Sequence, residues 1–166
     1  MAEDPQVEYE PLGVKCTDSD CERGLHCFRQ KQKRKERAAG RDGRCRACGV
    51  ELIDWERVRS HDIADVEFVF ASLKKEMIRH VFWHAEIDEK AVNHARRKGR
   101  RGIRAAAEHR LRKVVAPAEP AYDGRQTPKS GNVIYYAQHA TASCCRTCVE
   151  QWYGLGSLQE TEKIVR

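Results

Sequence analysis

The chain lacks any apolar run approaching the roughly eighteen residues that a membrane-spanning helix needs, which excludes a bilayer-crossing segment of that kind. Its opening stretch, MAEDPQVEYEPLG, lacks a basic region followed by an apolar one and is instead acidic and polar. With no secretory leader to read, the expected location is cytoplasmic and the expected state of the thiols is reduced. No internal repeat is present, and no His-Glu-x-x-His sequence marks a metalloprotease helix. Hydrophobic residues make up only 40% of the 166, while charged residues reach 34%. A core that lean suits one domain of ordinary size and would gain from extra stapling.

Cysteine can supply the staple, with eight residues in the chain. In a reducing compartment they read as metal ligands rather than disulfides. Two pairs have ligand spacing, Cys45/Cys48 and Cys145/Cys148. Two cysteines three apart in a tight turn offer both sulfurs to one tetrahedral ion, and the second pair is expected to open a helix whose positive end favours thiolates. Joining the two pairs gives one zinc site of treble-clef or zinc-ribbon type. A second site is open to Cys16, Cys21, Cys27 and Cys144, with His139 or the neighbouring His26, so one or two Zn2+ per chain are expected. His139 could equally replace a cysteine in the main site. The competing explanation is thiols packed as small hydrophobes, or a redox pair.

Charge is strongly segregated. Residues 29–46 carry nine Lys/Arg against two acids, and residues 96–113 carry nine against one. Two such clusters in a chain of net charge +6 favour a polyanionic partner over mere solubility.

Residues 1–14 are expected to form a flexible acidic arm, since Pro5 and Pro11 interrupt any periodic pattern. Residues 15–166 are expected to form one zinc-stabilised domain. Within it, 15–50 is Cys-rich and basic, and 60–116 is helical. From 121 to 155 the order is loop, strand, zinc knuckle and helix. Apolar residues recur at three-to-four spacing from Ile63 to Trp83, and a second helix starts near Asp88, pauses at Gly99 and Gly102, and resumes to about Val115. Glu51–Trp55 and Val133–Tyr136 are expected strands, the latter for its β-branched and aromatic residues. The resulting class is α+β with two or three helices.

The stretch TPKSGNVIYYAQHATASCCRTCVEQWYGL, residues 127–155, resembles the C-terminal signature of an uncharacterised bacterial and phage family, domain of unknown function 4186. The resemblance rests on Thr127-Pro128, Gly131, Ala137 to Ala142, Cys144-Cys145-Arg146, Cys148 and Trp152. The family pattern places a histidine after the tryptophan, where this chain has Tyr153. The resemblance strengthens the cluster of His139, Cys144, Cys145 and Cys148 and brings no activity with it.

Catalytic candidates are sparse. Glu76, His80 and His84 stand four apart on the first helix, with Asp88 and His94 nearby, and could hold a metal whose water is the nucleophile. Cys144 or Cys145 with His139 could form a nucleophile and base. The leading expectation is a zinc-containing nucleic-acid-binding protein, with DNA or RNA phosphates held by Lys31, Lys33, Arg34, Lys35 and Arg37 and by Arg96, Arg97, Lys98, Arg100, Arg101 and Arg104. Trp55, Trp83 and Trp152 could stack on unpaired bases, though packing explains them as well. The alternatives are an HNH-like, metal-dependent nuclease or related hydrolase using His80, His84, His94 or His139, and an adaptor that presents its basic helices to an acidic protein.

Overall fold

The computed structural model describes residues 9–29, 43–117, 120 and 127–155. Helix starts follow their caps. The side chains of Asp54, Asp88 and Asn132 each accept a backbone N–H two or three residues ahead, satisfying donors that a first turn leaves orphaned. The helices are α1 (Trp55–Val58), α2 (Val66–Leu73), α3 (Met77–His84), α4 (Glu89–Arg110), α5 (Val133–Ala140) and α6 (Arg146–Tyr153). Short 3-10 turns occupy Cys21–Arg23 and Ile63–Asp65, and a π turn, Leu111–Val115, extends α4.

Among the described residues, strand pairing is limited to three isolated bridges, Asp20–Leu25, His26–Glu76 and Arg44–Glu51. The protein is mostly helical, with six α-helices among those residues instead of the two or three of an α+β domain. Val133–Tyr136 opens α5 rather than forming a strand. Its β-branched and aromatic residues favour a strand locally, but the Asn132 side chain caps a helix there, accepting Ile134 N–H at 2.8 Å. Glu51 makes a single bridge before the chain turns into α1. The expected helix from Ile63 to Trp83 is broken at Lys74–Glu76. There the N-terminal segment docks, with His26 N–H donating to Lys75 O and Met77 N–H to His26 O, both at 2.8 Å.

The hydrophobic interior has two main parts. Phe28, Ile53, Val58, Leu73 and Trp152 surround Cys45, Cys144, Cys145 and Cys148. Val14, Leu25, Ile78, Val81, Phe82 and Tyr136 fill the space between the N-terminal segment, α3 and α5. Residues 9–14 of the expected arm are docked: Val14 is buried, Tyr9 donates its hydroxyl to Asp20 at 2.6 Å, and Lys129 donates to Val14 O.

Helix α4 is tied down at its ends. The Asp88 carboxylate accepts Gly131 N–H at 2.6 Å and the Tyr136 hydroxyl at 3.0 Å, and Arg110 donates to Gln138 at 2.7 Å and lies over the Tyr135 ring. Between these anchors the side chains from Arg96 to Arg101 are exposed. Gly99 leaves helical geometry at φ 62°, ψ 173°, matching the expected pause.

Candidate metal centres

Cys21, His26, Cys45 and Cys48 form the first centre, their ligand atoms all within 4.8 Å of one another. The Cys45–Cys48 half is a tight turn closed by Gly49 N–H donating to Cys45 O at 2.8 Å. Gly49 sits at φ 76°, the left-handed conformation that glycine adopts without steric cost. The other half depends on the Asp20–Leu25 bridge, which bends the chain so that Cys21 and His26 meet the knuckle. Cys21 Sγ lies 3.8 Å from Cys45 Sγ, and Cys48 Sγ lies 3.5 Å from His26 Nδ1. Burial works against ionisation of Cys45, but hydrogen bonds from the backbone of Cys48, Cys27 and Ala47, with His26, bring its thiol down to about 6. Cys48 is exposed.

Cys144, Cys145 and Cys148 form the second centre, also within 4.8 Å of one another and all buried. Cys145 is the N-cap of α6, so the first turn of that helix draws the sulfurs together. Cys148 Sγ is 3.6 Å from Cys144 Sγ and 3.4 Å from Cys145 Sγ. The Arg79 guanidinium, 1% exposed, donates to Cys148 Sγ at 3.0 Å, to Cys144 Sγ at 3.5 Å and to His139 O at 2.7 Å. Its Nε donates to Glu76 at 2.9 Å, and Trp152 Nε1 donates to the same carboxylate oxygen at 3.0 Å. Hydrogen bonds from Cys145 and Cys148, aided by Arg79, hold the Cys144 thiol well below its ordinary value against the opposing effect of burial. The same sulfur contacts, with burial, push Cys145 up. Crowded sulfurs cannot all ionise together unless a cation joins them.

The single site expected from Cys45/Cys48 and Cys145/Cys148 is therefore divided. Each pair recruits ligands nearer to it in space, and the two centres are neighbours in one core, where the Trp55 and Trp152 rings lie 5.1 Å apart. Cys21, expected in the second site, belongs to the first. Cys27 belongs to neither; its thiol donates to Cys16 O at 3.3 Å, and burial pushes it up to about 11. His139 is buried with its ring stacked on Phe82 and its Nε2 against Thr127 O and Pro128 O, both at 3.2 Å.

Among the described residues, Glu76, His80 and His84 are not among the groups close enough to hold a metal together. Glu76 precedes α3, and its carboxylate is taken by Arg79 and Trp152. His84 Nδ1 is 2.8 Å from His80 O, and the two imidazole rings lie 4.3 Å apart between centroids. His94 enters no Cys/His/carboxylate group among the described residues. Trp152 is buried and Trp55 donates to Gly43 O at 3.2 Å, which makes both packing anchors, while Trp83 is half-buried beside Phe70. Lys31, Lys33, Arg34, Lys35 and Arg37 lie outside the described residues. Arg79 went unnoticed in the sequence, although a cation amid Met77, Ile78, Val81 and Phe82 was a legible sign of a buried charge.

A mostly helical protein with two cysteine-rich centres sharing one core, each able to hold a metal ion, is the class these features define. The chain matches the family described as Domain of unknown function (DUF4186) over residues 67–164, more than half its length, and it belongs to that family. No solved structure matches it. The matched region contains Arg79 and all three cysteines of the second centre, whereas the four residues of the first precede it. No helix among the described residues is long and apolar enough to cross a membrane.

Proposed function

We propose that this chain is a nucleic-acid-binding protein whose fold is braced by structural zinc. The zinc assignment is supported by distances. A tetrahedral ion with Zn–S of about 2.3 Å and Zn–N of about 2.0–2.1 Å sets its sulfurs about 3.8 Å apart and a sulfur and nitrogen about 3.5 Å apart. The first centre has 3.8 and 3.5 Å, and the second has 3.6 and 3.4 Å between sulfurs. A disulfide would require about 2.05 Å. Thiolate and imidazole are the donors zinc favours, and the four ligands of the first centre leave no coordination position open, which suits support rather than catalysis.

The observation that carries the binding function is the middle of α4. Arg96, Arg97, Lys98, Arg100 and Arg101 are exposed and make no ion pair among the described residues, while both ends of the helix are fastened to the body. Arg104 is also exposed and meets Glu108 at 3.2 Å, a surface pair of small energetic weight. A cluster of exposed cations on a helix anchored at both ends fits phosphate, whose condensed counterions are released when it is neutralised. Such contacts give affinity without sequence information.

The test is fluorescence anisotropy with labelled DNA and RNA across a salt series. Binding should weaken steeply as salt rises, and reversing Arg96, Arg97, Arg100 and Arg101 to Glu should abolish it while metal content stays unchanged. Absent or salt-independent binding by the wild type would sink the proposal.

A further inference from the structure

The second centre has three cysteines in its tight group, one fewer than a closed tetrahedral site requires. Two side chains approach it from outside, Cys16 and His139, each half of a different explanation.

The Cys16 thiol is near enough to Cys148 for the two to interact, although it lies outside the 4.8 Å group formed by the other three sulfurs. Its backbone is held in place, since Cys16 O accepts the Cys27 thiol at 3.3 Å and Val14, two residues earlier, is buried. Charge points the same way. Zinc with four thiolates carries two negative charges in excess, and two guanidinium groups lie near this one: Arg79, donating to Cys144 and Cys148, and Arg29, beside Cys16. Guanidinium N–H donors on metal-bound sulfur both compensate the charge and orient the ligands. His139 is the rival. Its Nδ1 is buried without a hydrogen-bond partner, but its ring is stacked on Phe82 at 4.4 Å between centroids, and Nε2 is turned toward the carbonyls of Thr127 and Pro128. No contact of His139 with a cysteine sulfur matches the one that Cys16 makes.

We infer that Cys16 is the fourth ligand of the second metal centre, so that the eleven residues from Cys16 to His26 ligate both metals and splint the N-terminal segment onto the region shared with the family. One ion binds Cys16, Cys144, Cys145 and Cys148. The other binds Cys21, His26, Cys45 and Cys48. The segment that precedes the family match is thereby a required part of the family region's own metal site. This inference rests on the zinc reading above and is independent of nucleic-acid binding.

X-ray absorption on the wild-type zinc protein counts ligands without any substitution. Two zinc ions with seven sulfurs and one nitrogen between them are expected; six sulfurs and two nitrogens would assign His139 instead and overturn the inference. Metal competition on variants then identifies the residue. Cys16→Ser should weaken one of two sites by more than about a hundredfold, beyond what loss of an outer-sphere partner costs, while His139→Ala keeps two tight sites. Cys16→His, which retains a ligand, should restore most of the loss. A Cys16→Ser protein with both metals held as tightly as in the wild type would also overturn the inference. Loss of salt-dependent nucleic-acid binding, with these counts intact, would discard the functional proposal and leave this one standing.

Discussion

The two centres answer the same problem, concentrated negative charge on sulfur, by opposite means. The first lies at the surface, where Cys48 is exposed and the Cys45 thiolate is steadied by backbone N–H groups of its own turn and its close neighbours. The second is interior. Its sulfurs face a side chain, Arg79, delivered by a helix more than sixty residues away in sequence and itself held by Glu76 and Trp152. A local turn can form its half-site before the rest of the protein folds. The interior centre requires α3, α6 and their common core to be assembled already. Binding of a metal would thus be separable from folding at the first centre and nearly one event with it at the second.

The sharpest break of this contrast compares Cys148→Ser with Cys48→Ser. Structural zinc contributes on the order of 10–16 kcal/mol in small fingers, as much as the whole stability of an ordinary domain. Cys148→Ser should therefore abolish cooperative thermal unfolding, whereas Cys48→Ser should release one metal and keep the helical circular dichroism spectrum. Equal melting of Cys148→Ser and wild type would remove the distinction. A smaller effect is expected for Arg79→Met. Breaking a buried ion pair from one side costs about 3–5 kcal/mol because the remaining charge, here Glu76, is stranded. Denaturant titration should show that loss, and Glu76→Gln added to Arg79→Met should recover part of it.

The smallest effect concerns acid and serves to separate folding from metal release. Hydrogen bonds from the backbone of Gly131 and Ala91 hold the Asp88 carboxyl below its ordinary value. A depressed carboxyl contributes stability above its unfolded pKa, about 3.9, and that contribution is lost as pH falls through the lower folded value. Asp88→Asn should lower stability at neutral pH and flatten the acid limb of the stability profile below about pH 4. Asp88 belongs to neither centre, so zinc release on acidification should follow the wild-type curve; a shifted curve would show that the two centres and α4 unfold together.

Much of this was legible in the sequence, and the misses share a cause. Cys45/Cys48 and Cys145/Cys148 are visible because a chelating turn is local, and the helix beginning at Asp88 is visible because its cap and its interrupting Gly99 are local too. Which pair meets which was not visible. Joining sequence-distant halves is decided by tertiary packing, and here the docking of His26 against Lys75 and Met77 takes Cys21 to the first knuckle. Val133–Tyr136 has the composition of a strand, and the cap that overrides it, Asn132 accepting Ile134 N–H at 2.8 Å, is a single residue at the end of what reads as a loop. Glu76, His80 and His84 keep their spacing on α3 and its cap, but the Glu76 carboxylate is bonded to Arg79 and Trp152, partners that four-residue spacing does not reveal.

The break at Gly99 bears on geometry of a different kind, the phase of the cations. On an unbroken helix, residues 96, 97, 100, 101 and 104 would fall along one stripe at three- and four-residue intervals. A backbone at φ 62°, ψ 173° is a conformation essentially reserved for glycine, and it resets that phase for one residue. Arg96 to Lys98 and Arg100 to Arg104 then form two banks with different bearings. A stiff rod of negative charge meets one bank at a time, and a pliant chain can follow the bend and meet both. If the proposed nucleic-acid binding holds, bending stiffness rather than sequence is the property of the polyanion that such a surface would distinguish.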